Sequence, residues 1–448
     1  MRRVAIAGLL FLTASPVMAA TDYFSPNAVG SNSGTLSNPW YTWSAASNVS
    51  TGAQPGDTVV LLPGTYVTQA APGMAGTANA PITIAPAATM PSKGGSSSVI
   101  FQGDASHDAI KFAITAAYLT LQNFTVQPQG ARWGITSFQS CATPTCTVPN
   151  HITIDHVTID GQGTNGGEGI GLNQVDYMTI TNNIVENLGA QTTGLSPSAI
   201  SLYQQVDTDG TIGLHNLIAG NQVFGQQYGA VTSDGNGIII DDNQHTQNNG
   251  GGACATAFVL CNPAYSAWTR IANNVVYSNN GPAIHTYISN YVDIENNTTW
   301  QDNTGSVNTF SSNGEISIVN SSYITVNGNI ASILPAHAGP GGNTWLYLSG
   351  VSNFAGKANV GFGSLYVAGP QAGVRQDTST VNVTLGANVN TDPVLTNAPA
   401  DFTPQAGSSA FNEAPAYFRA FTPSADYKGR DLNLGPLGSG LITAGAIQ

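Results

Sequence analysis

Charged side chains are scarce in this chain of 448 residues. Asp, Glu, Lys and Arg together make up 8% of it, and only 11 residues are basic. A nucleic-acid partner is thereby excluded, because phosphate binding needs a basic face. Lysine is rarest of all: Lys93, Lys111, Lys357 and Lys428 are the complete set. Long apolar runs are missing too. The one near the start, Val4 to Leu12, is too short to span a bilayer, and nothing later is longer. Helical periodicity is absent, which excludes a helical bundle or coiled coil. Cysteine is limited to four residues, while glycine reaches 51.

The opening MRRVAIAGLLFLTASPVMAA has the parts of a secretory signal peptide. Arg2 and Arg3 form its basic end, an apolar core follows, and Val17-Met18-Ala19-Ala20 supplies small residues for cleavage. Residues 1–20 are therefore set aside. The remainder is expected to be exported, to a bacterial periplasm or beyond, and to act as a monomer. Loss of Arg2 and Arg3 takes the formal charge from −13 to −15. In an oxidising compartment the close pairs, Cys141 with Cys146 and Cys254 with Cys261, read as two disulfide staples on local loops. A zinc site is the rival reading, but no His stands at ligand spacing beside either pair.

Apolar residues recur in short alternating runs. One set includes YLTLQNFTV (118–126), HITIDHVTI (151–159), YMTITNNIV (177–185), TRIANNVVY (269–277) and YITVNGNIA (323–331). Each is a strand, then a polar pair usually ending in Asn, then a second short strand. The recurring asparagines are Asn183, Asn221, Asn274, Asn297 and Asn329. A second set lies between: EGIGLN (168–173), SAISLY (198–203), GIIIDD (237–242), AIHTYI (283–288) and EISIVN (315–320). Two or three strands per repeat of roughly 20–30 residues describe a solenoid. Stacked coils would align the asparagines into a hydrogen-bonded ladder. The expected fold is all-β: a single-domain right-handed parallel β-helix over 21–385, with an irregular segment, 386–448, packing back on it.

TDYFSPNAVGSNSGTLSNPW followed by PGDTVVLLPGTY resembles the opening of secreted right-handed parallel β-helix proteins. DGNGIII, RIANNVVYSNNG and VDIENNTTWQDN resemble the central coils of pectate-lyase-like proteins, most nearly polysaccharide lyase family 9. The resemblance covers nearly the whole chain after the leader. It implies an enzyme that cleaves an acidic polysaccharide by β-elimination, with calcium bridging protein carboxylates to the substrate. Asp234, in SDGNGI, matches an aspartate of that family's D-G-apolar motif. Two departures stand out. Where the family carries an acidic cluster this chain reads Asn279-Asn280-Gly281-Pro282-Ala283, and its lysine base has no counterpart in the central coils.

Aligning the second strand set on Ile170, Ile200, Ile238, Ile284 and Ile316 yields explicit candidates. Leu172, Leu202, Ile240, Thr286 and Ile318 then point inward, while Gly171, Ser201, Ile239, His285 and Ser317 form an outer row. Tyr203, Asp241 and Tyr287 form a second row on the same exposed sheet, a groove suited to an extended polymer. His285 is the candidate base, since imidazole alone has an unperturbed pKa near neutrality. Tyr287 or Tyr203 would donate to the leaving oxygen, with Asp241 beside them. Asp234, Asp241 and Asp242 are candidate ligands for Ca2+. Arg270, Trp133 and Glu168 are candidate substrate contacts. A glycoside hydrolase pairing Asp241 with Glu168 or Asp234 is the alternative, as is a catalytically silent glycan-binding protein.

Overall fold

The computed structural model describes residues 19–410 apart from 30–31, 49, 51, 68–71, 131, 138–146, 164–165, 190–196, 228–233, 248–263, 306–313, 334–343, 364–370, 372, 387 and 406–407. Residues 1–18 of the leader expected over 1–20, and residues 411–448, lie outside the described residues. So do the four cysteines, Cys141, Cys146, Cys254 and Cys261. The two expected staples, Cys141 to Cys146 and Cys254 to Cys261, therefore fall on segments outside the described residues.

Three long sheets of 12, 11 and 9 strands carry the fold, and every pairing within them is parallel. One coil shows the winding. Ile170–Asn173 runs in the nine-stranded sheet, Asp176–Thr181 in the twelve-stranded sheet and Ile184–Glu186 in the eleven-stranded sheet. The chain then returns to the nine-stranded sheet at Ile200–Tyr203 and repeats. This is a right-handed parallel β-helix. One continuous core, from Phe24 to Val374, fills its interior. At the N-terminal end a short helix, Trp43–Ala46, capped by Thr42, stacks Trp43 on Phe24 and covers the first coils.

The corner between the twelve- and eleven-stranded sheets explains the Asn recurrence. The strands on either side are two residues apart. The first of the two takes a positive φ: Asn182 at 55°, Gly220 at 68°, Asn273 at 56°, Asn296 at 56° and Gly328 at 65°. Asn and Gly occupy this position because they tolerate the left-handed region best. The second residue is the ladder asparagine. Each side-chain Nδ2 donates to Oδ1 of the next, from Asn183 through Asn221, Asn274, Asn297, Asn329 and Asn359 to Asn388, at 2.8–3.0 Å. Sequence spacing reveals the first five of these rungs.

The coiled part runs slightly past residue 385. Val381–Gly386 and Val389–Asn390 still pair in the long sheets. A hairpin of Leu395–Asn397 and Asp401–Pro404 follows, and Phe402 packs against Val275, Tyr277 and Trp300 on the outside of the coil.

Candidate functional site

The nine-stranded sheet holds the register read from the isoleucines. Ile170, Ile200, Ile238, Ile284 and Ile316 pair in sequence and are all fully buried. One outward row runs without a slip through nine strands: Lys111, Thr136, Gly171, Ser201, Ile239, His285, Ser317, Tyr347 and Arg375. A second row sets Asn173, Tyr203, Asp241, Tyr287 and Val319 side by side. Rungs in such a sheet lie about 4.8 Å apart.

The structure corrects one feature of this face. Alternation predicts an exposed outer row, yet Ser201, Ile239, His285 and Ser317 are buried, as is Tyr347. Period-2 alternation tells which way a side chain points; it cannot tell what lies over it. Tyr203, Asp241 and Tyr287 remain half-exposed and form the rim.

Several buried polar atoms on this face have no hydrogen-bond partner among the described residues: both ring nitrogens of His285, Oδ1 of Asp241, Oγ of Ser317 and Oγ1 of Thr136. Buried polar groups are nearly always paired, so such a strip is either strained or kept for a ligand. Burial holds the His285 imidazole down at about 4, and it is therefore neutral at neutral pH. The Tyr287 ring meets it edge-on, with centroids 6.0 Å apart.

Three carboxyl groups share the field of this face. Burial pushes Glu168 up to about 8, and the charge of Asp234 adds to the effect. Asp241 is also held well above the usual carboxylate range, first by burial and then by Asp234, Asp242 and Glu168. Glu168 precedes its strand, but its carboxyl folds forward onto the outer row. A β-carbon at position 171 would fall 1.8 Å from its Oε2, so Gly171 is what admits it. Trp133 stands at the equivalent turn one coil earlier, where Gly134 N–H donates to Glu168 O. Asp234 holds a left-handed φ of 60°.

Two candidates do not join them. Arg270 lies on the twelve-stranded sheet, pairing with Asp293 at 2.8 Å and Glu295 at 3.0 Å. It is a structural ion pair, because its strand turns a different face outward. Asp242 is buried in the turn after its strand. Its Oδ1 accepts from the N–H groups of Thr246 and Gln247, and its Oδ2 from Gln204 Nε2. The Asp242 carboxyl is thus already engaged by bonds within the chain. Among the described residues, the one set of three acid or imidazole ligands within 4.8 Å of each other is Asp176, Asp207 and His215. That set is an internally bonded network. Asp176 accepts from Thr208 N–H, Thr208 Oγ1 and Tyr265 OH and contacts His215 Nδ1, while Asp207 accepts from Gly210 N–H and Ser266 Oγ.

Sequence reasoning missed the far end of the outer row, Tyr347 and Arg375, where the guanidinium lies 5.2 Å from the Tyr347 ring centroid. The signal was there: WLYLS and VRQ continue the alternation. It also missed Asp302 and Glu315, which meet inside a corner. Asp302 N–H donates to Glu315 Oε1, and both carboxyls are raised by burial.

Fold and face together define a parallel β-helix with a polar strip along its nine-stranded sheet. No family model matches the chain, and no curated protein sequence does. Among solved structures, pectate lyase Pel9A is similar over 96% of both chains, at 14% identity and a TM-score of 0.50. A mannuronic acid specific family 6 lyase from human gut microbiota covers 85% of this chain and 88% of its own, at 14% identity and a TM-score of 0.41. A GH136 lacto-N-biosidase from Eubacterium ramulus covers 83% and 68%, at 13% identity and 0.40. The first likeness establishes the β-helix; the other two add no argument. One such fold hosts different chemistries, so function rests on the site.

Proposed function

We propose that this protein cleaves an acidic, uronate-containing polysaccharide by β-elimination, in a groove along the outer row of the nine-stranded sheet. The observation that carries the reading is His285: a buried, neutral imidazole with neither nitrogen partnered among the described residues, flanked by Tyr287 and one rung from Asp241. Neutral imidazole takes the proton from the carbon beside the uronate carboxyl. The Tyr287 phenol gives its proton to the leaving glycosidic oxygen as the carbon–oxygen bond breaks and the ring double bond forms. Asp241, whose carboxyl is pushed upward by burial and by Asp234, donates a hydrogen bond to the substrate carboxylate when protonated and makes that carbon more acidic. Tyr203, one rung on, offers a ring to a neighbouring sugar.

Glu168 serves a different subsite. It lies three rungs from His285, roughly 14 Å at about 4.8 Å per rung, which is too far to share a reacting carbon. As a carboxylic acid near neutral pH it would hold the carboxylate of another residue of the polymer. Lys111 and Arg375 at the two ends of the row supply positive charge on this acidic protein. No step is routed through calcium.

One observation favours a second reading. Glu168 and Asp241 are two rungs apart, roughly 9.6 Å at that spacing, close to the separation of the two carboxyls in inverting glycosidases. A screen of uronate polymers and neutral glycans separates the readings. β-Elimination yields an unsaturated uronyl end that absorbs near-ultraviolet light; hydrolysis yields reducing ends without that absorbance. Reducing ends alone would overturn the lyase reading, and binding with neither product would overturn both.

A further inference from the structure

The first described residues hold a second unmet demand for charge. Asp57 is 4% exposed, and its carboxylate accepts two backbone hydrogen bonds: Ala20 N–H to Oδ1 at 2.7 Å and Gln54 N–H to Oδ2 at 2.7 Å. Asp22 lies in its field. Burial and the charge of Asp57 push the Asp22 carboxyl up to about 6. Among the described residues, no Lys, Arg or His forms an ion pair with either aspartate. A buried carboxylate beside a second one, held by amides alone, is costly unless a cation joins it.

Ala20 is also the first residue fixed to the sheet. Its carbonyl accepts from Thr58 N–H at 2.9 Å, directly ahead of the strand Thr21–Phe24. A cut after Ala20 would remove both of its bonds. A cut after Ala19 would keep both. It would also turn the amide nitrogen already 2.7 Å from Asp57 into an ammonium group.

We propose that the mature protein begins at Ala20, and that its new α-ammonium forms a partly buried ion pair with Asp57 which locks the first coil. The step is peptide hydrolysis by an export peptidase of the producing cell. The bond from the Ala19 carbonyl carbon to the Ala20 nitrogen breaks. Water supplies the hydroxyl of the Ala19 carboxyl and a hydrogen to the nitrogen, and the amine then takes up a proton. The sequence agrees independently. Cleavage sites want small side chains one and three residues before the cut. A cut after Ala19 puts Ala19 and Val17 there, whereas a cut after Ala20 puts Ala20 and the longer Met18.

Two measurements test this. The full chain, expressed in a bacterium that exports it, is recovered for intact mass and amino-terminal sequencing; Ala-Thr-Asp-Tyr is expected. A terminus at Thr21 would overturn the proposal while leaving the leader intact, and one at Met1 would overturn both. Then chains that begin at Ala20, at Thr21, or with one Gly ahead of Ala20 are compared by thermal melting. The Ala20 chain is expected to melt highest, by about 2 °C or more, since each extra or missing residue displaces the charge. Asp57→Asn should erase the advantage of Ala20 over the Gly-extended chain. Equal melting of those two chains with Asp57 present would overturn the ion pair.

Discussion

At the scale of single residues, the face depends on two titrating groups displaced in opposite directions. His285 has a folded-state pKa near 4, below its ordinary 6.5, and Glu168 one near 8, above its ordinary 4.5. On the proposed chemistry, turnover should collapse as pH falls through about 4, where the imidazole becomes charged. KM should rise above about pH 8, where Glu168 ionises and repels a uronate. A pH series of kcat and KM checks both limbs. His285→Ala should cost roughly 10²- to 10⁴-fold in kcat with the fold intact by circular dichroism. Full activity in that variant would remove the base from the mechanism. Gly171→Ala should act through Glu168 alone, because the new methyl group takes the place of the carboxyl. A raised KM with near-normal kcat is the expected result.

At the scale of elements, the ladder corner is the sharpest case of sequence dictating structure. Asn274 accepts from the N–H and Nδ2 of Asn221, and donates to Ile218 O and Asn297 Oδ1. Asn274→Ala strands those partners in the interior, at about 1–3 kcal/mol for each group left unpaired. A fall of several degrees in Tm is the expected outcome. The ladder and the strand register were legible because both repeat: one asparagine per coil, one isoleucine per inward position. The burial of His285 was not, since alternation fixes direction and says nothing of what packs over a side chain. Nor was the true place of Asp242. It follows Asp241 directly, yet its φ of 48° turns it into the corner, where Gln204 and two amides claim it. Asp302 and Glu315 escaped notice for another reason. They are 13 residues apart and carry no pattern; only the corner between the eleven- and nine-stranded sheets brings them together.

At the scale of the whole molecule, that carboxyl pair ties stability to pH. Burial raises both the Asp302 and the Glu315 carboxyl well above the usual carboxylate range. A raised folded-state pKa contributes stability that is complete below the unfolded value and disappears as pH rises through the folded one. The melting temperature should therefore fall as pH climbs from about 4.5 past 7, and Glu315→Gln should flatten that slope. EDTA should change neither melting nor activity, since no step is routed through calcium. A clear loss on chelation would show that an ion assembles the site's carboxyls. The coil itself carries one more lesson. From residue 122 onward, the link between the twelve- and eleven-stranded sheets is two residues long in every turn, up to the step from Gly386 to Val389. Longer connections fall only at the two margins of the nine-stranded sheet. Insertions can thus accumulate on either bank of the trough while the spool keeps its pitch, so a lineage could re-tailor which polymer it grips without rewinding anything.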